Sequence, residues 1–312
     1  MNKEPVVVSN TKTKVVRNKR NGSMKNVTPW LFLLPSILIL GIFLVIPILE
    51  AFKWSFLDYK IIADTGEFVG FANFKEIFED QHFWTALMNT LLFLVIVLPL
   101  NVFLPMILAV IVNQKIKGVS TFRVLYYLPV ITPMVVAALM WKMLYSQDSI
   151  ISTLMVKLGI FDSPTNLLVQ SSTALIAVAA ITVWKGLGYY MIIYLAGLQS
   201  IPKDVYESAS IDGASVIQQF RRITVPMLIP SVTLVSVMTI IAGMKVFEEI
   251  ALTTGGGPSG ATTTLVMYIY QKFMSLDVSV ASAAGLVLLL LAIAASLLQM
   301  KLTSKREDDL RA

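Results

Sequence analysis

The sequence has no cysteine and a single histidine, His82. Without thiols it can form neither a disulfide framework nor a thiolate metal site, and one imidazole cannot assemble a zinc centre. His82 lies in a polar stretch and reads as a surface histidine. Charge is also scarce, at 14% of residues. There is no Gly-x-x-x-x-Gly-Lys-Ser/Thr, so no backbone cradle for the phosphates of ATP, and neither Gly-x-Ser-x-Gly nor His-Glu-x-x-His occurs. A serine or threonine nucleophile would need a base, and the one imidazole stands apart from the apolar runs. The expectation is a chain that is not catalytic and holds no cofactor and no metal.

Apolar residues are abundant. They make up 56% of the 312 residues, and the mean hydropathy is +0.75. They gather into runs of roughly 20 residues or more, the length a bilayer core requires. The runs predict an all-α integral membrane protein, with the lipid bilayer as its first partner and six spans at 30–52, 85–113, 122–145, 172–198, 227–252 and 278–302. Pro35 and Pro47 fall in the first run, and neighbouring groups in a membrane can satisfy the carbonyls they free. No small-residue cleavage site follows that run, so it is expected to stay as a span. The organisation expected is a disordered basic tail at 1–28, a first span and external loop at 29–84, a region of five further spans at 85–302, and a second tail at 303–312.

Lysine and arginine set the orientation. The first tail, the loop with Lys115, Lys117 and Arg123, the loop with Lys203, Arg221 and Arg222, and the end with Lys301, Lys305 and Arg306 share one side. The opposite loops, including 53–84 with its six carboxylates, carry mostly acids. Both termini are therefore expected on the cytoplasmic side. The net charge of +6 reads as a topology signal, and no folded basic face for nucleic acid is visible.

The most informative stretch, 201–226, is polar and lies between two apolar runs. Val216, Ile217, Phe220 and Ile223 repeat with helical spacing. Pro202 suits a helix start, and Asp204 and Glu207 favour the positive end of its dipole. Gly213 sits where a turn needs a residue without Cβ. The spacing predicts helix, turn and helix. Taken alone, such a loop could simply rest on the lipid surface.

Glu207-Ser208-Ala209, Asp212-Gly213, Ile223 and Pro226 resemble the EAA loop of binding-protein-dependent ABC importer permeases, with Ser208 in place of an alanine and Val225 in place of a leucine. The resemblance implies a type I ABC importer transmembrane fold with both termini inside. It also implies that the loop docks into a groove on a separate cytoplasmic ATPase dimer, through Glu207, Ser208, Ala209, Asp212, Gly213, Ile223 and Pro226. Phe247 to Leu265, with Gly255-Gly256-Gly257-Pro258 and Thr262-Thr263-Thr264, is similar to the carbohydrate-importer branch. So are Asn89-Thr90 and Tyr126-Tyr127-Leu128-Pro129. That branch implies an extracellular solute-binding protein, a second homologous permease subunit, and a sugar or oligosaccharide as solute. Glycerol-phosphate permeases share the same motifs.

Trp184, Tyr189 and Tyr190 offer aromatic faces and hydroxyls suited to a sugar, or an interfacial aromatic belt. Gly186 and Gly188 beside them suggest close approach of a neighbouring chain or a ligand. By position, the resemblance places solute contacts at Lys185, Gly186 and Tyr189, and at Thr239, Ala242, Gly243 and Val246. Lys245 with Glu248 and Glu249 is either a self-neutralising pair on one helix, an interfacial cluster, or part of a polar pathway. Ala281 with Gly285, and Ala292 with Ser296, have the spacing of close helix packing.

Overall fold

The structure is a computed structural model and describes residues 24–114 and 118–311. Most of the basic tail lies outside the described residues, as do Lys115 and Lys117. Helix α1 (Met24–Leu40) begins within the last five residues of the expected tail. The chain divides into two units, 1–50 and 51–312. The first holds α1, a π turn (Gly41–Val45) and most of α2 (Ile46–Trp54). Pro47 has no N–H to give, and the helix widens by one residue just before it.

In the second unit a hairpin of β1 (Leu57–Lys60) and β2 (Thr65–Phe68) precedes α3 (Ala72–Glu79) and α4 (Gln81–Asn113). Leu57 stands opposite Phe68 and Lys60 opposite Thr65. Then come α5 (Val119–Ile131), α6 (Met134–Leu144), α7 (Ile150–Lys157), α8 (Ala174–Gln199), α9 (Lys203–Ile211), α10 (Val216–Gln219), α11 (Val225–Met227), α12 (Ile229–Met244), α13 (Glu248–Thr253), α14 (Leu265–Met274) and α15 (Val278–Arg311). The expected second tail is thus the continuation of α15. Helix α4 is the centre of the unit. It packs on α8 and α12, while α15 covers α12 and α14.

Among the described residues four helices are long and apolar enough to span a bilayer, and six spans result if each bent pair counts as one. Two of the expected spans are not continuous helices. The third breaks between α5 and α6 with a bend of 107°. Pro133 forces the preceding Thr132 out of the helical region, to ψ 124°. The fifth ends at Met244 instead of 252: Lys245 caps it, Phe247 takes a non-helical backbone, and α13 starts afresh at Glu248. At its other end α12 meets α11 at a bend of 64° over Leu228.

The Asn89-Thr90 and Thr262-Thr263-Thr264 motifs join in space. The Asn89 amide donates to the carbonyls of Gly260 and Thr263, and the Thr90 hydroxyl accepts the N–H of Leu265. Thr262, Thr263 and Thr264 donate in turn to the carbonyls of Gly257, Gly256 and Val246. The loop after α13 is thereby tied to α4.

On the same side Asp80 caps α4 through the N–H of His82 at 2.8 Å, accepts the Tyr268 hydroxyl at 2.8 Å and pairs with Lys272 at 3.5 Å. Partial burial raises the affinity of its carboxyl for a proton. The hydrogen bonds and the Lys272 ammonium outweigh that and hold it below the usual carboxylate range. A carboxyl depressed in the fold contributes stability above its unfolded pKa and loses it as the pH falls through the folded one. Asp80→Asn should therefore lower Tm at pH 7 and leave it nearly unchanged in strong acid; equal losses at both would discount the charge.

Candidate functional site

The polar loop is built as helix, turn, helix. Pro202 precedes α9 and Asp204 lies in its first turn. The helix stops because Gly213 takes φ +77°. Its N–H donates to Ser210 at 3.1 Å and that of Ala214 to Ala209 at 2.9 Å, which closes the carbonyl end of α9. Ser215 and Gln218 then cap α10 reciprocally, at 2.7 and 3.3 Å. The chain continues through a π turn, Phe220–Thr224, into α11. The Tyr206 hydroxyl meets that of Thr224 at 2.9 Å, so the two halves of the loop are fastened together.

Of the seven loop residues singled out in the sequence, Ala209, Asp212, Gly213 and Ile223 line one cleft of about 390 Å³, together with Ala214, Gln218, Gln219 and Arg222. Glu207 and Ser208 are exposed on α9, and Pro226 is half-buried in α11. The apolar face is only partly covered. Phe220 and Ile223 turn inward, whereas Ile211, Val216 and Ile217 remain exposed. Tyr206, Thr224 and Ser215 were missed in the sequence reading. The Ser-x-x-Gln capping signature at 215–218 was legible; the Tyr206–Thr224 contact was not.

The second set of candidates lies on α8 and α12. Trp184 packs edge-to-face on Trp141, ring centroids 5.6 Å apart, and lines a largely apolar recess with Phe122, Leu125 and Pro129. Tyr190 is buried, and the neighbouring Tyr189 is exposed. Gly186 faces Asn101 and the Tyr190 ring, where an added Cβ would lie 3.0 Å from each. Gly188 faces the backbone of Tyr126 in α5. The close neighbour hinted at by these glycines is this chain's own backbone and side chains. Gly243 is held against Leu94. Thr239 is buried, and its hydroxyl, like Asn101 Oδ1 and Tyr194 OH, has no hydrogen-bond partner among the described residues. Unsatisfied buried polar atoms on three adjacent helices are costly, and such atoms in membrane segments mark candidate pathways. Gly285, expected to support close packing, has nothing within 4 Å of an added Cβ.

Lys185 has a structural partner. Its ammonium donates to the carbonyl of Thr132 at 2.8 Å, at the break between α5 and α6. There it satisfies an acceptor that the interrupted helix leaves open. Lys185→Met should strip that carbonyl of its donor, at a cost of about 1–3 kcal/mol, read as a lower Tm in detergent. An unchanged Tm would make the bond dispensable.

A cavity of about 650 Å³ opens where α12 gives way to α13. Met238, Ile241, Ala242, Val246 and Phe247 form its apolar wall, and Lys245, Glu248 and Glu249 bring the charge. The proposed self-neutralising pair on one helix does not form, because the helix ends at Lys245. No ion pair joins Lys245 to either glutamate. Helix α12 thus connects the polar loop at one end with a charged cavity at the other, over 16 residues or about 24 Å.

Residues 83–307 match the family described as binding-protein-dependent transport system inner membrane component. The chain is 34% identical to the probable ABC transporter permease protein YurN of Bacillus subtilis, over 91% of this chain and 99% of that one. It is 31% identical to the lactose transport system permease protein LacF of Rhizobium radiobacter, over 90% and 96%. It also resembles a chain in the crystal structure of a bacterial ABC transporter that imports the acidic polysaccharide alginate. That match has a TM-score of 0.78 and 26% identity, and covers 91% of this chain and 98% of that one.

Proposed function

The chain belongs to the binding-protein-dependent transport system inner membrane components, and from that premise we propose that it carries a sugar or oligosaccharide across the membrane as one of two permeases in an ATP-driven importer. An extracellular solute-binding protein delivers the solute to the side of the α12–α13 cavity. A second, homologous permease completes the path. A cytoplasmic ATPase dimer grips the loop 201–226, and this chain hydrolyses no ATP itself.

The observation that carries the reading is the state of that loop. Its central turn is closed by backbone and capping-box hydrogen bonds, yet Ile211, Val216 and Ile217 remain exposed on it. A rigid helix with an uncovered apolar face suits insertion into a groove on another protein. The Tyr206–Thr224 bond and the buried Leu228 at the 64° bend offer a stiff route from loop to α12. Closure of the ATPases would then move α12 and widen or narrow the cavity. The coupling is reciprocal: solute delivery must favour the closed ATPase by as much as closure favours the outward-open path. The sugar assignment draws on relatives named for lactose and for sn-glycerol-3-phosphate, and on the Thr239, Asn101 and Tyr189 hydrogen-bonding groups.

Glu207→Lys tests the grip. It reverses a charge on the exposed side of α9 without disturbing the capping bonds. Membrane insertion should be normal, while the ATP-binding subunit no longer co-purifies and uptake is lost. Retained co-purification and uptake would remove the docking role, and ion-driven uptake by the purified chain alone would replace the reading with a secondary transporter.

A further inference from the structure

We propose that residues 52–78, between the first two spans, form a collar in the headgroup layer of the outer leaflet, with the hairpin tip Ile61-Ile62-Ala63 inserted into the lipid. The proposal rests on 29–54 and the start of α15 being membrane spans, with residues 52–78 on the outer side as the lysine and arginine placement implies.

Two contacts set the height of the hairpin. The N–H of Tyr59 donates to Ser279 Oγ at 2.8 Å, and Ser279 is the second residue of the span Val278–Thr303. The Tyr59 ring stacks on Trp54, centroids 4.9 Å apart and 10° from parallel, and Trp54 is the last residue of the span Pro29–Trp54. The ends of two spans therefore meet at one tyrosine. The Asn73 amide donates to the carbonyls of Ser55 and Leu57, both at 2.9 Å, and holds the base of the hairpin. From Tyr59 to Ile62 the chain reaches about 10 Å at most, so the tip stays near the membrane boundary.

Charge sets its tilt. Asp58 and Lys60 are exposed on one face of β1, and Glu67 is exposed opposite Asp58. Three of the four turn residues, Ile61, Ile62 and Ala63, are apolar, with Ile62 84% exposed, and the fourth, Asp64, is turned back to accept the Tyr59 hydroxyl at 2.6 Å. Such a hairpin keeps its charged face in water when it lies sideways with its tip in lipid. A recess of about 340 Å³ runs between the tip and Leu276, with Lys60 and Asp277 at its rim.

Aromatic content points the same way. Eight of the 27 residues from Phe52 to Phe78 are aromatic, against 10% for the chain. The rings of Phe52, Phe56, Phe71 and Phe74 follow one another at 5.3–5.7 Å. Trp54 and Tyr59 are of the kind that concentrates at the membrane–water interface, with one end of the ring apolar and the other wet, and the six phenylalanines add apolar surface of the kind an interfacial segment buries at the headgroup boundary. A delivery protein would leave these side chains in water for part of every cycle. The bilayer covers them at all times.

The absence of cysteine makes the test direct. Ile62→Cys, labelled with an environment-sensitive fluorophore in the full chain assembled with its partners in lipid nanodiscs, should emit blue-shifted light. It should lose emission when the lipids carry a shallow acyl-chain spin label. The same label at Glu67→Cys should emit as in water and ignore the spin label. Addition of the binding protein should change neither. Ala63→Cys repeats the reading from the next residue. Equal, water-like emission at 62 and 67 would overturn the proposal, and so would a blue shift at 62 that appears only with the binding protein, which would make the tip a protein dock.

Discussion

Gly213→Pro is expected to abolish uptake while the chain still enters the membrane. The native φ is +77°, and the proline ring holds φ near −65°. The substitution also removes the N–H that bonds Ser210. No atom lies within 4 Å of an added Cβ, so the effect comes from the backbone, through its φ and the lost N–H, and is confined to the turn that sets α10 against α9. A cost of about 3 kcal/mol against the docking geometry corresponds to roughly a hundredfold loss of competent loops. Gly213→Ala keeps the N–H and pays only the left-handed strain, about 1–2 kcal/mol, so uptake should fall by roughly tenfold. Uptake, co-purification of the ATP-binding subunit and membrane content of the variant are the three measurements. Normal uptake by the proline variant would mean that the turn is not part of the coupling.

Gly188→Ala should be the most damaging single methyl in the described chain. A Cβ there would lie 2.0 Å from the carbonyl oxygen of Tyr126 and 2.8 Å from its carbon. These are backbone atoms and cannot rotate away, so α5 and α8 must separate. Overpacking costs typically about 1–3 kcal/mol and sometimes more. Here it also pulls Thr132 away from the Lys185 ammonium. Gly186→Ala meets only side chains, Asn101 and Tyr190 at 3.0 Å, and should cost less. Gly285→Ala meets nothing and should be neutral, or gain up to about 1 kcal/mol of helix propensity. Thermal unfolding in detergent should rank the three in that order. A Tm for Gly188→Ala equal to that of Gly285→Ala would contradict the α5–α8 crossing.

The loop 201–226 was legible because its signals are local. A proline at a helix start, a glycine at the turn and a helical repeat all act within one turn of their own position. The break at Thr132-Pro133 was not read, and 122–145 is predicted as one span. Proline in a membrane helix can give a mild kink or a full break, and the choice depends on whether something like Lys185, 53 residues away, is there to satisfy the freed carbonyl. The end of α12 at Met244 was not read because Val246, Phe247, Ile250, Ala251 and Leu252 carry apolar residues on past the charges at Lys245, Glu248 and Glu249. The stretch after Trp54 looked simply polar, since its charges are obvious in one dimension and its aromatic chain and apolar tip appear only when the hairpin is folded.

The sequence by itself determined the class, the approximate spans and the existence of a polar helix–turn–helix loop. Each follows from bilayer thickness or from backbone rules that act over a few residues. Only the tertiary structure decided what the motifs touch. Asn89 and Thr90 bond partners 171 to 175 residues away. Gly188 is a helix crossing, and Lys185 is a bond across a broken span. Such pairings are set by which helices pack together, and residues far apart along the chain carry no local trace of it.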